Sequence, residues 1–208
     1  MDNRQAYNLW AEQYDSNKNF TRDLEGKSLR ETLSKITFEK VLEVGCGTGK
    51  NSEWFVAKAK HVTAVDFSEE MLSKAHAKVI AKNINFVKAD ITSEWSFIDD
   101  LYNLVTFSLV LEHIEDISFI FQQVNKKIAP GGHVYIGELH PFKQYSGSLA
   151  RFEIGDKRVE LRCFIHHISD FLTAAYDNGF SLVKLNEWFD EDDRSAVPRI
   201  LTLLLKKA

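Results

Sequence analysis

The sequence predicts an α/β protein built on a mostly parallel β-sheet with helices on both faces. Short runs of branched apolar residues alternate along the chain with amphipathic helical segments, which is the pattern of parallel strands buried on both sides. A glycine-rich turn, GCGTG, follows the first of these runs, where open parallel sheets bind ligands. The 208 residues include only three prolines and no linker-like tract, so we expect a single domain over residues 1–208.

The elements can be assigned in chain order. The predicted parallel strands are KVLEVG, HVTAVDF, INFVKAD, YNLVTFSLVL and HVYIGEL, with a turn at 130–132 before the last. The predicted helices between them are KNSEWFVAKAK, EEMLSKAHAKVIAK and ISFIFQQVNKKI. Ser68 can cap the second helix, and Glu69 and Glu70 in its first turn suit the helix dipole.

The predicted alternation of strands and helices stops between Phe142 and Glu160. Ser169 can then cap a helix, DFLTAAYDNG, and two strand-like runs follow, FSLVKLNEWF and RILTLLLKK. Two successive strands at the end of the chain predict an antiparallel hairpin on one edge of the sheet.

An aromatic stripe marks the N-terminal segment. Tyr7, Trp10 and Tyr14 follow the i, i+3, i+7 spacing of one helix face in an otherwise polar sequence. Two interpretations stay open: the stripe packs on the core, or it forms a lid over a ligand site. We expect residues 1–35 to be a helical lid and residues 142–167 to be an insertion on the substrate side.

Composition limits the classes of partner and compartment. A net charge of −4 argues against nucleic acid as the main partner. The sequence lacks a 20-residue apolar stretch and a secretory signal, so we expect no membrane association. Two cysteines, Cys46 and Cys163, are too few for a disulfide framework and favour a cytoplasmic location. The sequence gives no indication of the oligomeric state.

The glycine turn contains Gly45, Gly47 and Gly49. Without a Cβ, glycine accepts positive φ and lets the main chain approach a ligand closely, although such a turn can also be purely structural. A dinucleotide fingerprint, G-x-G-x-x-G, would need glycine where Lys50 stands. The phosphate-binding loop pattern fails as well, because Asn51 replaces its Ser or Thr.

VLEVGCGTG resembles motif I of the class I S-adenosylmethionine-dependent methyltransferases, in particular the small-molecule branch that includes ubiquinone and biotin biosynthesis methyltransferases. The resemblance continues in family order through VDFSEEML, KADIT, LVTFSLVLEHIED and IAPGGHVYIGELHP, roughly from Val41 to Pro141. It implies a Rossmann-like, doubly wound, seven-stranded sheet, mostly parallel with the last strand antiparallel. It also implies methyl transfer from S-adenosyl-L-methionine to a small-molecule O, N or C nucleophile, with S-adenosyl-L-homocysteine as product.

The resemblance also implies a set of cofactor-binding residues. Glu43 would orient the methionine end, and Asp66 would accept both ribose hydroxyls, although an aspartate there can also cap a helix. The glycine turn would line the cofactor with its backbone, Phe67 and Asp90 would contact the adenine, and the end of the fourth strand would face the methionine portion. The complete predicted set is Glu43, Gly45, Cys46, Gly47, Gly49, Asp66, Phe67, Asp90, Ile91, Ser108 and Leu109.

The acceptor side is less defined by the resemblance. His140, with Glu138 beside it, is the leading candidate for a general base, and His113 in LEHIED is a second. A histidine bonded to nearby backbone is an open alternative for both. Residues proposed for the substrate are Tyr14, Tyr145 and Arg151, the last as a partner for an anion.

Two further sequence features bear on the site. Adjacent residues on an extended segment point to opposite sides, so we do not expect His166 and His167 to form a metal site. Asn103 stands where the family usually has an aspartate. Alternative functions are a cofactor-binding regulator or partner subunit without activity and, with less support, an NAD(P)-dependent oxidoreductase or an RNA methyltransferase.

Overall fold

The computed structural model describes residues 1–208 and has a seven-stranded sheet at its centre. In chain order the strands are β1 (Lys40–Val44), β2 (His61–Asp66), β3 (Ile84–Lys88), β4 (Tyr102–Ser108), β5 (Ile128–Leu139), β6 (Arg151–Ile154), β7 (Lys157–Glu160), β8 (Phe180–Trp188) and β9 (Ile200–Lys207). The helices are α1 (Asn3–Trp10), α2 (Phe20–Leu33), α3 (Ser52–Val56), α4 (Glu69–Lys78), α5 (Ile117–Lys127), α6 (Pro141–Tyr145) and α7 (Ile168–Asp177). Strands β6 and β7 form a separate hairpin.

The sheet has the predicted doubly wound topology. Its spatial order is β3-β2-β1-β4-β5-β9-β8. The pairs from β3 to β5 are parallel, and β9 runs antiparallel to both β5 and β8. The chain moves outward in one direction from β1 and then restarts on the other side with β4. The strand order therefore reverses at the carboxyl ends of β1 and β4, where sheets of this kind place their ligand sites.

Apolar side chains fill both faces of the sheet. One cluster of 24 buried residues joins the strands to α5 and α7, and a second of 13 joins them to α2 and α3. The central strands are buried along nearly their whole length. This two-sided burial explains why they read as near-continuous apolar runs rather than as alternating ones. None of the helices combines the length and the apolar character that crossing a membrane requires.

Several predicted element boundaries were wrong. Helix α3 covers only Ser52–Val56, because the chain turns at once to start β2, where the His61 N–H donates to the Glu39 carbonyl. Helix α7 begins at Ile168, so its N-cap is His167 and not Ser169. The predicted turn at 130–132 lies within β5, which pairs with β4 on both sides of a register shift.

Asn103 at the start of β4 joins two neighbouring strands through its side chain. Its side-chain oxygen accepts hydrogen bonds from the backbone N–H groups of Lys40 (3.0 Å) and Glu39 (3.3 Å). An amide oxygen suffices for this contact. The contact ties the starts of β1 and β4 together without a charge.

The N-terminal segment and the 142–167 segment pack against each other. The Trp10 ring stacks on Phe152 of β6 with centroids 4.8 Å apart and planes 8° apart. Tyr14 lies beyond the end of α1, so the predicted stripe does not fall on one helix, yet its ring still contacts Trp10 at 5.0 Å. Ser68 caps α4 as predicted and also donates to the Asn8 side chain of α1 at 2.6 Å.

Gly137 in β5 has no room for a side chain, because a Cβ there would lie 2.5 Å from the Tyr135 hydroxyl and 2.7 Å from the Glu25 carboxylate. Overpacking at buried sites costs about 1–3 kcal/mol. We expect Gly137→Ala to lower the free energy of unfolding in urea by about that amount. Gly26→Ala in α2 is the control, since the neighbours of a Cβ there are the flexible ends of Arg30 and Lys50. A Gly137→Ala protein as stable as wild type would contradict this packing.

Candidate functional site

A cavity of about 200 Å³ opens at the carboxyl ends of β1, β2 and β4. It lies where the strand order reverses. The predicted site residues that line it are Tyr14, Gly45, Gly47, Asp66, Phe67, Asp90, Ile91, Ser108, Leu109 and His113. Residues that line it without having been assigned to the site from the sequence are Asn3, Tyr7, Val65, Met71, Ala89, Thr92, Val110 and Ile114.

The glycine turn forms one wall of the cavity with bare backbone. Gly45 has a φ of +72°, and a Cβ on it would come within 2.3 Å of the Val110 side chain. Gly47 has a φ of +52°, and a Cβ there would meet no atom within 4 Å. Gly49 has a φ of +81° but faces α4, where a Cβ would touch Val79 at 3.1 Å. Gly47 therefore leaves open space for a ligand, whereas Gly49 serves packing.

Asp66 ends β2 and faces the glycine turn. One carboxylate oxygen accepts the Gly47 N–H at 2.8 Å, and the other accepts the Ser68 N–H at 2.9 Å. The residue is 8% exposed, and burial raises its pKa to about 6. Each oxygen can accept one further hydrogen bond. Asp66 is thus oriented by two backbone donors and can still receive two donors from a ligand.

The other end of the cavity is more open. The Phe67 ring meets the Tyr7 ring edge-on at 6.0 Å. One Asp90 oxygen accepts both the backbone N–H (2.9 Å) and the hydroxyl (2.6 Å) of Thr92. These two bonds make Asp90 the cap of the turn at 90–92. Its second oxygen takes no part in these bonds, so capping and ligand contact are compatible.

Leu109 adopts a backbone conformation that is rare for its residue type. Its φ is +58°, in the left-handed region, and its N–H donates to the Gly137 carbonyl at 2.8 Å. Such a conformation costs on the order of 1–3 kcal/mol and is typical of functional sites. Nothing in the sequence signals it. The left-handed conformation of Leu109 reverses the chain direction after β4, and Leu109 and Val110 line the cavity.

Glu138 lies behind this turn and does not line the cavity. Its carboxylate accepts the backbone N–H groups of Val110 (2.9 Å), Leu111 (2.8 Å) and Glu112 (3.4 Å). The side chain is 2% exposed, and burial, helped by the nearby Glu112, raises its pKa to about 8. Its observed contacts are those of a positioning residue that holds the 110–112 turn, and not those of the predicted base.

His140 is also placed away from the cavity. The residue is fully buried, and its Nδ1 accepts the Phe142 N–H at 3.2 Å, which caps α6. Its Nε2 lies 3.0 Å from the Glu187 carboxylate. Both nitrogens are therefore occupied by the fold. We correct the assignment of His140 as leading base for this reason.

His113 lines the cavity and has a defined set of partners. Its Nδ1 lies 3.0 Å from the Arg162 carbonyl oxygen, and its Nε2 lies 2.8 Å from the Tyr7 hydroxyl. A carbonyl can only accept, so we assign the proton to Nδ1. Nε2 is then the acceptor, and its partner, the Tyr7 hydroxyl, belongs to a residue that also lines the cavity.

The remaining predicted residues lie outside the cavity lining. Glu43 sits behind the glycine turn and accepts the Ser52 hydroxyl at 2.5 Å, and the Cys46 thiol is buried. Tyr145 is half-exposed and bonded to His167 at 2.6 Å. Arg151 is exposed on β6. These positions give Tyr145 and Arg151 no contact with the cavity in the conformation described.

Two of the unassigned lining residues contribute polar groups beside His113. Tyr7 belongs to the aromatic stripe that the sequence reveals, so its spacing could have identified it. Nothing in the sequence singles out Asn3. Its side-chain N–H donates to the Arg162 carbonyl at 2.8 Å, and its side-chain oxygen accepts the Arg162 N–H at 2.9 Å. Only the tertiary contact between α1 and the 142–167 segment brings these groups to the site.

Part of the chain is similar in sequence to known proteins. A protein-family model described as "Methyltransferase domain" matches residues 42–136, which span β1 to β5. The ubiquinone biosynthesis O-methyltransferase of Pectobacterium carotovorum is 33% identical over 104 residues, covering 49% of this chain and 44% of that protein. The match thus spans less than half the length of the curated relatives.

Solved structures resemble the whole chain in fold. An S-adenosylmethionine-dependent methyltransferase from Mesorhizobium loti has a TM-score of 0.74 at 22% identity, covering 88% of this chain and 98% of that one. The N-methyltransferase NodS from Bradyrhizobium japonicum, in complex with S-adenosyl-L-homocysteine, has a TM-score of 0.74 at 18% identity, covering 100% and 99%. The predicted fold is confirmed.

We expect Glu138→Ala to lower the free energy of unfolding by about 1–3 kcal/mol, because buried N–H groups of the 110–112 turn would lose their acceptor. Chemical denaturation measures this. Glu115→Ala, at an exposed site on the same loop, should change stability by less than about 0.5 kcal/mol. Unchanged stability of Glu138→Ala with turnover abolished would return Glu138 to the role of base.

Proposed function

We propose that this chain, which carries a class I S-adenosylmethionine-dependent methyltransferase domain, transfers a methyl group from S-adenosylmethionine to an oxygen, nitrogen or carbon atom of a small molecule. The observation that carries the proposal is one cavity combining bare main chain at Gly47 with the oriented carboxylate of Asp66. The resemblance of the matched segment to ubiquinone O-methyltransferases supports a small-molecule acceptor.

The residues present fit the cofactor. Open space at Gly47 admits a ligand against the backbone, and Asp66 retains acceptor capacity that suits the two ribose hydroxyls. Gly45 and Ser108 would flank the methionine portion, and Asp90 would accept from the adenine amine. When bound, S-adenosylmethionine supplies a methyl group on a sulfonium leaving group, so the protein needs no covalent nucleophile. The protein's task is to align the acceptor, exclude water and remove a proton.

His113 is the base that the geometry supports best. With the proton on Nδ1, the lone pair of Nε2 accepts a hydrogen bond from the Tyr7 hydroxyl at 2.8 Å. An acceptor hydroxyl or ammonium group that takes the place of the Tyr7 hydroxyl would give its proton to Nε2. Glu112, 3.9 Å from Nε2 and 7% exposed, would then stabilise the protonated ring.

In this proposal residues 1–35 form the lid over the cavity, and the lid packs against the 142–167 segment. Tyr7 and Tyr14 line the cavity, and Trp10 packs on Phe152. Beyond the stacking, Lys78 pairs with Asp15 just after α1. Closure would exclude water from the reacting groups. Packing on the core and covering a ligand are therefore properties of the same aromatic side chains.

The same observations support the other elements of the proposal. Cys46 and Cys163 are both unbonded thiols, which suits a reducing compartment, and we propose a cytoplasmic location. The glycine spacing disfavours a dinucleotide. The net charge of −4 disfavours an RNA substrate. A non-catalytic cofactor-binding regulator is the second candidate, and it differs from an enzyme only in turnover.

Incubating the purified protein with methyl-labelled S-adenosylmethionine and a small-molecule extract tests the function directly. We expect label to appear in a small molecule. Asp66→Ala should weaken cofactor binding in calorimetry at least tenfold, because the ribose hydroxyls lose a charged acceptor. Asp99→Ala, at an exposed site, is the control. Tight cofactor binding without any labelled product would favour the regulator, and unchanged binding by Asp66→Ala would contradict the ribose contact.

Once an acceptor is known, His113→Gln should lower kcat by about 10²–10⁴-fold, the usual contribution of a general base. Its cofactor affinity should stay within about threefold of wild type, because Asp66 and the glycine turn are intact. His61→Gln, at the amino end of β2, serves as the control. Full turnover by His113→Gln at saturating substrate would remove His113 as the base.

A further inference from the structure

The ring of His113 is held by two segments that lie outside the family match at residues 42–136. Helix α1 supplies the Tyr7 hydroxyl, which lies 2.8 Å from Nε2. The segment after β7 supplies the Arg162 carbonyl oxygen, 3.0 Å from Nδ1, and the Cys163 thiol, 3.8 Å from the same nitrogen. The orientation and the protonation of the ring therefore depend on contacts with residues that are distant from His113 in the sequence.

Of these partners, the Arg162 carbonyl is the one that distinguishes the two neutral forms of the ring. A hydroxyl or a thiol can donate or accept, so Tyr7 and Cys163 fit either tautomer. Glu112 lies 3.9 Å from Nε2, which is beyond hydrogen-bond distance. A carbonyl oxygen only accepts, and at 3.0 Å from an unprotonated nitrogen two lone pairs would face each other. The position of this carbonyl therefore keeps the proton on Nδ1 and the lone pair on Nε2.

Asn3 of α1 fixes the backbone of Arg162. Its side-chain oxygen accepts the Arg162 N–H at 2.9 Å, and its side-chain N–H donates to the Arg162 carbonyl at 2.8 Å. Neither of these groups of Arg162 forms a backbone–backbone hydrogen bond. The Arg162 side chain is exposed, and its ion pair with Glu115 at 3.5 Å is a surface contact that contributes little. The two bonds from Asn3 are therefore the main restraint on the carbonyl that faces His113.

One face of α1 thus reaches both nitrogens of the ring. Asn3 and Tyr7 are four residues apart, which places them side by side on a helix. Tyr7 bonds Nε2 directly, and Asn3 acts on Nδ1 through the Arg162 carbonyl. The Asn3 nitrogen lies 3.3 Å from Nδ1, because the N–H groups of Asn3 and His113 point to the same oxygen. A carbonyl oxygen has two lone pairs and can accept both hydrogen bonds.

We propose that Asn3 is a positioning residue for the base: by fixing the backbone of Arg162, it keeps the proton of His113 on Nδ1 and leaves Nε2 able to accept a proton. This inference rests on the proposed function. In the reaction, Nε2 takes the proton as the O–H or N–H bond of the methyl acceptor breaks. The electron pair of the acceptor then attacks the methyl carbon, and the carbon–sulfur bond breaks with its electrons left on sulfur. In the other tautomer Nε2 already carries a proton and cannot act as the base.

The arrangement makes the base depend on the docking of α1. Asn3 reaches the backbone of Arg162 only while α1 lies against the segment after β7. If the helix moved away, the carbonyl would lose its restraint and the cavity would lose its cover in the same step. Closure of the lid and selection of the competent tautomer of His113 are therefore one event, so the base is competent only where water is excluded.

Nitrogen-15 NMR of protein labelled in its histidine rings, at a pH where the rings are neutral, reads the tautomer directly. The signals of His113 are those that vanish in His113→Gln. We expect the proton on Nδ1 in the wild-type protein and a large Nε2–H population in Asn3→Ala. Asn8→Ala is the matched control, because this asparagine of the same helix bonds Ser68 at 2.6 Å and should leave the tautomer unchanged. The Nε2–H form in the wild type, or an unchanged ring in Asn3→Ala, would overturn the inference.

Kinetics with the acceptor identified by label transfer complete the test. We expect kcat of Asn3→Ala to fall roughly threefold to tenfold, because only rings with the proton on Nδ1 act as base. Arg4→Ala, exposed on the same helix, should keep the wild-type kcat, and a thermal melt verifies folding. A changed tautomer with undiminished kcat would overturn the inference and leave the methyltransferase activity intact. If the wild-type protein transfers label to no small molecule, the proposed function fails and the inference fails with it.

Discussion

The hydrogen bond from the Gly47 backbone to Asp66 joins the turn after β1 to the tip of β2, and the candidate site depends on it. Parallel pairing of β1 and β2 brings the two strand ends to one edge of the sheet. The turn can then face the carboxylate only because its glycines adopt positive φ. The cavity wall at the glycine turn and the orientation of Asp66, the proposed ribose acceptor, are thus consequences of one local geometry.

Burial of negative charge is the second constraint on this site. Glu25, Glu43, Asp66 and Glu138 lie at or behind the cavity wall, and each has a pKa raised by desolvation. The Glu138 carboxylate accepts backbone N–H groups of the 110–112 turn, so its hydrogen bonds are made without a ligand. The other three surround the glycine turn without a cation. Of these three, only Asp66 lines the cavity.

The fold could be predicted, and most of the residues proposed for the cofactor were expected at the cavity, because their signals are local. A strand followed by glycines, or a strand ending in Asp66, is visible in a few consecutive residues. The choice between His113 and His140 as candidate base could not be made in the same way. His140 directly follows β5, but contacts with Arg199 beside β9 and with Glu187 of β8 bury it, and these contacts are distant in sequence. Tyr7 and Asn3 reach the cavity only through tertiary packing of the N-terminal segment.

We propose that the cavity between the glycine turn and Asp66 binds the adenosyl and methionine parts of S-adenosylmethionine. A crystal structure of the protein grown with sinefungin, a stable analogue that carries an amine in place of the methyl sulfonium, tests this most directly. We expect electron density along the glycine turn, with the ribose hydroxyls on Asp66 and the amino acid end near Ser108. A vacant cavity at saturating analogue, or one that accepts only a pyrophosphate-bridged dinucleotide, would contradict it.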